Sequence, residues 1–266
     1  MMDVQRKTLS VDGLSTGYLE AGEGEPVVLL HGGEFGASAE LGWERNISAL
    51  AAHYCVLAPD MLGYGSSAKV IDFVDGRGMR IRHVARFCEL LGVGSAHFVG
   101  NSMGAINLLT DSTSETPLLP VRSLVIICGG GEIQQNQHFE ALQNYDATLP
   151  AMRRIVEALF SDPAYADDED YVRRRHESST APGAWEAIAA ARFRRPAPRR
   201  PPPRPARGPT NASACQRLSS RAATTSSCPA AGRPRSPSRS TEPVRWWSTT
   251  PGTARRSSNR RWSTGC

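Results

Sequence analysis

The stretch His97-Phe98-Val99-Gly100-Asn101-Ser102-Met103-Gly104, followed by an apolar run from Ala105 to Leu109, decides the fold. Its first residues are typical of a short buried strand, and its last are typical of a helix. Between them lies Gly-x-Ser-x-Gly, the pattern of a tight strand-to-helix turn that exposes a serine hydroxyl. The glycines leave room for this turn, and the helix N-terminus favours developing negative charge. The pattern predicts that Ser102 is a nucleophile rather than part of a merely tight turn.

Strand-like and helical patterns alternate around this motif. Short apolar runs occupy residues 26–30, 54–58 and 121–127, and a helical period with Val84, Phe87 and Leu91 on one face occupies residues 81–91. Alternating strands and helices favour a mostly parallel sheet that is covered on both sides. The sequence therefore predicts the α/β class.

A second glycine motif follows the strand-like run at residues 26–30. It is His31-Gly32-Gly33. Acyl-transfer chemistry needs two backbone N–H donors that point at an oxyanion. We expect one donor from Gly33 and the other from Met103, the residue after the nucleophile. His31 itself is expected to support the loop rather than to act as a base.

The chain divides into three segments of different composition. Residues 1–132 carry the strand–helix pattern. Residues 133–195 contain successive helical patterns, over residues 139–149, 152–160, 167–175 and 184–191, without a strand between them, which predicts a helical cap over the sheet. Residues 196–266 are rich in Pro, Arg, Ser and Thr; from residue 201 onward they hold twelve arginines, one acid and a single Leu and Val. Such a segment cannot bury enough apolar surface to offset its ordering entropy, so we expect a disordered tail.

The motifs together resemble the α/β-hydrolase superfamily and, within it, the hydrolases that cleave C–C bonds of meta-cleavage products in aromatic and steroid catabolism. The stretches LHGGEFGASA (30–39), DMLGYGSS (60–67) and HFVGNSMG (97–104) carry this resemblance, which covers residues 1 to about 195. It implies an α/β-hydrolase fold with a helical cap and hydrolysis of a 2-hydroxy-6-oxo-dienoate. A carboxylesterase with the same serine turn is the alternative.

The resemblance also implies roles for single residues. Ser102 is the nucleophile, Gly33 and Met103 form the oxyanion hole, and Asn101 and Arg175 bind the substrate. Arg175 lies in a run of three arginines that is equally compatible with a solvated surface. The chain has Glu-Leu-Gly-Trp at residues 40–43 where the family often has Asn, so the substrate stays open. The resemblance implies no cofactor and no metal.

The family's catalytic acid and base are absent from the C-terminal third. The last aspartate is Asp170 and the last histidine is His176. In a shifted reading frame, each codon consists of the last base of one codon and the first two bases of the next codon. Read in this frame, residues 245–260 permit A-V-V-V-D-D-A-G-H-G-T-Q-I-E-Q-P, and residues 211–226 permit R-I-G-V-P-T-P-I-L-E-G-R-D-D-K. These sequences match the missing acid turn, strand and Gly-His. We therefore expect a frameshift near residues 196–210 and a product without activity, with part of the core missing. His138 and His176 are the alternative bases.

The remaining expectations concern partners and location. The sequence shows no signal peptide, no apolar run long enough for a membrane span and no metal-ligand spacing among its six cysteines, which favours a cytoplasmic protein with reduced thiols. A small-molecule substrate is the expected partner, and the intact family form could be a homo-oligomer. A basic nucleic-acid-binding arm is the rival interpretation of the tail, but the tail lacks Lys and has three aromatic residues.

Overall fold

The computed structural model describes residues 3–131 and 136–190. They lie in the first of two compact units, Met1–Pro202; the second unit, Pro203–Cys266, and the expected tail disorder lie outside the described residues. The strands are β1 Gln5–Val11, β2 Leu14–Ala21, β3 Pro26–Leu30, β4 Cys55–Pro59, β5 Ala96–Asn101 and β6 Val121–Ile127. The helices are α1 Ala39–Trp43, α2 Ile47–Ala51, α3 Gly76–Leu90, α4 Met103–Ser112, α5 Gln137–Gln143, α6 Leu149–Leu159, α7 Ala164–Asp167, α8 Glu169–Thr180 and α9 Ala184–Ala190.

The sheet is mixed, with the order β1-β2-β4-β3-β5-β6. Strands β4, β3, β5 and β6 are parallel, and β1 and β2 are antiparallel. The carboxyl ends of β3 and β5 lie side by side, with Leu30 opposite Gly100. Binding sites of open α/β sheets lie beyond the carboxyl ends of such strands, so this edge is where a site is expected.

The antiparallel hairpin β1–β2 was not predicted from the apolar runs. Asp12 and Gly13 join the two strands with φ values of 48° and 83°. Two consecutive residues with positive φ make a turn whose twist matches that of the strands, and Asp-Gly is a preferred sequence for it. The hairpin is therefore encoded locally, although its strands lack a strong apolar run.

Two apolar clusters cover the two faces of the sheet. One contains Phe87 of α3, Leu108 of α4 and Phe98 of β5, and the other contains Trp43 of α1 and Ile47 of α2. A third cluster lies among the helices after β6 and the loop after β3, and it includes Phe35, Met152, Ile155, Tyr171 and Val172. The cap helices thus pack on the loop that the sequence predicted to hold the oxyanion.

The helices after β6 differ in their bounds from the sequence prediction. A helix was expected over residues 139–149, but α5 ends at Gln143 and α6 begins at Leu149, because Thr148 caps it with an acceptor for the Ala151 N–H. The four-residue α7 was not predicted. No strand occurs in described residues 136–190, in line with an all-helical segment.

Strand β6 forms one edge of the described sheet. Among residues 3–131 and 136–190, its partner is β5 alone. The side chains of Val125 and Ile127 are 50% and 39% exposed, which is unusual for apolar residues of a parallel sheet. The described part of the chain therefore leaves this strand incompletely covered.

Neither a membrane-spanning helix nor a metal cluster is found in the described part of the chain. None of its helices has the length and hydropathy needed to cross a membrane. The same residues contain no group of three or more His, Cys, Asp or Glu side chains that could hold a metal ion. Cys55, Cys88 and Cys128 are free thiols.

His83 is a buried histidine whose titration should make the stability of this fold depend on pH. Its ring lies 2.8 Å from the Thr16 hydroxyl, and burial lowers its pKa from 6.5 to about 4. The unfolded chain takes up a proton below pH 6.5, whereas the folded chain does so only near pH 4. We therefore expect the free energy of unfolding to decrease as the pH falls from 6.5 to 4, by roughly 2–3 kcal/mol at most from this residue.

Urea denaturation at pH 7 and pH 4.5 tests this expectation. His83→Asn should lose part of the pH dependence, whereas the exposed control His53→Asn should retain all of it. An identical decrease in the two variants would show that His83 does not carry the effect.

Candidate active site

Ser102 occupies the turn between β5 and α4 in a backbone conformation that is rare for serine. Its φ is 50° and its ψ is −110°. The Ser102 N–H donates to the Ile127 carbonyl at 2.9 Å, and its carbonyl accepts from the Ile106 N–H at 2.9 Å. Hydrogen bonds on both sides thus hold the strained residue, as is common at functional sites.

The two glycines of the motif are needed because other backbone lies against them. A Cβ on Gly100 would lie 2.6 Å from the Ala105 nitrogen, and a Cβ on Gly104 would lie 2.3 Å from the Leu30 carbonyl oxygen. Both distances are shorter than real Cβ contacts. Strand β5 and helix α4 can therefore approach each other and β3 only if these positions are glycine.

The structure brings the loop of Gly33 to Met103. A Cβ on Gly33 would lie 2.8 Å from the Met103 sulfur, and the Tyr64 hydroxyl donates to the Gly33 carbonyl at 2.9 Å. Met103 is the first residue of α4, so its N–H has no intrahelical acceptor. Gly33 and Met103, the two residues assigned to the oxyanion hole, are thus neighbours in the structure, and Met103 directly follows Ser102 in the chain.

Hydrogen bonds of both ring nitrogens fix His31 in the interior. Its Nε2 accepts from the Met61 N–H at 3.0 Å, so its Nδ1 carries the proton and donates to the Gly32 carbonyl at 2.7 Å. Burial lowers the pKa of the ring, which keeps it neutral. His31 is therefore placed to support the loop of Gly33, and its nitrogens are not available as a base.

Of the remaining five histidines, three bond other groups and two are exposed. His83 bonds Thr16, His97 contacts Ser123 and Glu25, and His176 donates to the Ala147 carbonyl at 2.9 Å. His53 and His138 are exposed. Among the described residues, no hydrogen bond joins a histidine to the Ser102 hydroxyl.

A cavity of about 200 Å³ contains both residues that were assigned to the substrate. Asn101, next to Ser102, lines it from the end of β5, and Arg175 lines it from α8. Aromatic side chains of the cap, Phe160, Tyr165 and Tyr171, form much of the rest of its wall. Half of its twelve lining residues are charged or carry an amide, namely Glu34, Glu44, Arg45, Asn46, Asn101 and Arg175. The cavity thus joins an aromatic wall to a strongly polar one, which suits a small polar ligand.

Arg175 is a buried residue with an internal partner, rather than part of a solvated run. It is 2% exposed, and its guanidinium donates to Glu34 at 2.8 Å and to the Tyr171 hydroxyl at 3.2 Å. Burial opposes its charge, but the attraction of the Glu34 carboxylate outweighs this and raises the pKa of Arg175. Burial likewise opposes ionisation of Glu34, but Arg175 lowers its pKa overall. Both groups are therefore charged.

Sequence reasoning missed Glu34 as a residue of the site. The sequence feature that could have identified Glu34 is its position, because a charged side chain directly after His-Gly-Gly must lie close to the oxyanion loop. Its partner could not be identified from the sequence, since Arg175 is 141 residues further along the chain.

The fold and the comparisons together define the class of protein. The model of the alpha/beta hydrolase family matches residues 27–260. The chain belongs to this family. Its alignment with a 2-hydroxy-6-oxo-6-(2'-aminophenyl)hexa-2,4-dienoic acid hydrolase of Metapseudomonas resinovorans shows 36% identity over 185 residues, 68% of this chain and 62% of that protein. A 2-hydroxy-6-oxo-2,4-heptadienoate hydrolase of Pseudomonas putida is 30% identical over 67% of this chain and 64% of its own length.

Solved structures of hydrolases are also similar to this chain. A serine hydrolase involved in carbazole degradation has a TM-score of 0.60 and 32% identity, over 71% of this chain and 69% of that chain. A point mutant of the meta-cleavage product hydrolase CumD has a TM-score of 0.63 and 28% identity, over 69% and 67% of the two chains. The chain spans just over three-fifths of the length of the curated relatives it matches.

Proposed function

We propose that this chain derives from a serine-type hydrolase that cleaves a C–C bond in a 2-hydroxy-6-oxo-dienoate. The observation that carries the proposal is the contact of Gly33 with Met103, the residue that follows Ser102 in its strained turn, together with a cavity lined by Asn101 and Arg175. The relatives are named as hydrolases of such dienoates. The cap and sheet that this chain shares with its relatives support the same substrate class for this chain.

The site residues divide the chemistry between them. The dienoate is a vinylogous 1,5-diketone, and its cleavage begins with a proton shift that gives a keto form. Ser102 then attacks the remaining carbonyl, or orients water onto it, while the Gly33 and Met103 N–H groups stabilise the negative oxygen. The C–C bond breaks as this oxygen re-forms the carbonyl, and the electron pair of the broken bond passes to the dienol fragment, which takes up a proton. If Ser102 is the nucleophile, water then hydrolyses the acyl ester on its oxygen. The proton transfers need a base and an acid.

We infer that the base and acid were lost through a frameshift, so that the chain as written is inactive. The alternate frame of residues 211–226 and 245–260 supplies an acid turn and a Gly-His in the order of the family. The pairwise matches, which cover about two-thirds of the chain, support this inference, although the family model extends to residue 260. Sequencing the gene across codons 190–215 tests it, and an unaltered frame would overturn it.

The substrate class can be tested with a protein in which the frame is restored. We expect faster turnover of a 2-hydroxy-6-oxo-dienoate than of a p-nitrophenyl ester, and a decrease of at least about 10³-fold in both with Ser102→Ala. An exposed control, Ser114→Ala, should retain full activity. Faster turnover of the ester would favour the carboxylesterase alternative, which has the same serine turn.

A further inference from the structure

A second group of a serine, a histidine and a carboxylate lies at the opposite end of the parallel strands from Ser102. Ser123 is the third residue of β6, His97 is the second residue of β5, and Glu25 directly precedes β3. His97 is the cross-strand partner of Ser123 on one side and of Val27 on the other. The parallel strands therefore bring the three side chains together at their amino ends.

The contacts of the His97 ring define where its proton lies. Its Nδ1 is 2.6 Å from the Ser123 hydroxyl oxygen, and its Nε2 is 3.3 Å from Oε2 of Glu25. An ionised carboxylate only accepts hydrogen bonds, so in the neutral ring Nε2 carries the proton and Nδ1 accepts from Ser123. This is the arrangement of a nucleophile, its general base and the group that orients the base.

Neighbouring residues hold the base and its orienting carboxylate in place. The ring of Tyr54 packs edge-on against His97, with 5.8 Å between the ring centres. The Glu25 carbonyl accepts from the Cys55 N–H at 3.0 Å, and its side-chain Oε1 forms an ion pair with Arg122. The geometry of the group is therefore supported by contacts with residues of β4 and β6 and with Tyr54.

A small molecule can reach this group. Ser123 is exposed, and the side chains of His97 and Glu25 are 27% and 35% exposed. Side chains two residues apart on a strand share a face, so Ser123 lies on the same face of β6 as the exposed Val125 and Ile127. The serine hydroxyl thus borders an apolar surface, which suits a small uncharged molecule.

We propose that Ser123, His97 and Glu25 form a second nucleophilic site, which accepts the acyl group of a small, uncharged, activated ester. Ser123 Oγ forms a bond to the carbonyl carbon while its proton passes to His97 Nδ1, and Glu25 stabilises the imidazolium. The bond from the acyl carbon to the leaving oxygen then breaks, and this oxygen keeps the electron pair and takes the proton from His97. The products are an acylated Ser123 and the free alcohol or phenol.

Acylation of Ser123 should be slow and should stop after one acyl group. Ser123 lies within a strand, whereas Ser102 lies at the N-terminus of α4. The backbone around Ser123 therefore gives less stabilisation to a negative oxygen than the helix N-terminus does at Ser102.

Acetylation by p-nitrophenyl acetate tests the proposal in the full-length chain with Ser102→Ala, which removes the other nucleophile. We expect one equivalent of p-nitrophenol and an acetyl group on Ser123, located by mass spectrometry of the digested chain. Adding His97→Gln should slow this acetylation at least about 100-fold, because it removes the general base. Adding Ser114→Ala, which removes an exposed serine outside the group, should leave the rate unchanged.

A hydrogen bond that only joins β5 to β6 would give a different result. The proposal is overturned if Ser123 is not acetylated, or if His97→Gln leaves the rate at Ser123 unchanged. Glu25→Gln provides a second test outside the strands, and it should slow acetylation at least about tenfold, because the imidazolium loses its partner. These results are independent of the proposed function, which is tested by dienoate hydrolysis at Ser102 in the frame-restored protein.

Discussion

The chain as written is expected to hydrolyse a 2-hydroxy-6-oxo-dienoate at least about 10³-fold more slowly than the frame-restored protein. Triad members act as a unit, so a serine without its base keeps only the contributions of binding and of the oxyanion hole. The histidines of the described residues give the physical reason. His31, His83, His97 and His176 bond other groups, and none of the six histidines is hydrogen-bonded to the Ser102 hydroxyl. The measurement is kcat/KM of both purified proteins under the same conditions.

The control is the effect of Ser102→Ala in the frame-restored protein and in the chain as written. It should be large in the restored protein and less than about tenfold in the chain as written, because a nucleophile without a base has little activity to lose. Ser102-dependent turnover of the written chain would contradict the expectation. His138→Ala and His176→Ala would then show which histidine of the cap acts as the base.

Gly104→Ala is expected to destabilise the protein strongly. The new Cβ would lie 2.3 Å from the Leu30 carbonyl oxygen. Neither side can move easily, because β3 is paired with β5 and β4 in the centre of the sheet. Overpacking against backbone should lower the free energy of unfolding by at least about 3 kcal/mol. Urea denaturation measures this value.

Gly94→Ala is the matched control. It adds the same methyl group in the turn before β5, where nothing lies within 4 Å of the ideal Cβ position. Its free energy of unfolding should therefore stay within about 0.5 kcal/mol of the wild type. If the two variants were equally stable, the close approach of α4 to β3 would not be a constraint on the sequence.

The central strands and the serine turn could be predicted because their information is local. A run of apolar residues specifies a buried strand, and Gly-x-Ser-x-Gly specifies a turn that only small neighbours permit. The β1–β2 hairpin is also encoded locally, in Asp12-Gly13, but its signal is turn chemistry, which apolar runs alone do not reveal. Short helices such as α1 and α7 carry too few residues for a recognisable period.

The charges of the cavity could not be predicted in the same way. Arg173, Arg174 and Arg175 are alike in sequence, yet only the last is buried in the cap. Their roles depend on how α8 is oriented about its own axis and on contacts with residues from the first third of the chain. A partner 141 residues away is fixed by tertiary topology, which no window of the sequence contains.

The positive φ of Ser102 has a consequence for the history of the gene. A non-glycine residue in this conformation costs on the order of 1–3 kcal/mol, which selection tolerates only while the hydroxyl is useful. In a chain whose base has been lost, Ser102→Gly would relieve this strain without a loss of activity. The strained serine of the chain as written is therefore best understood as a remnant of the active ancestor that we propose.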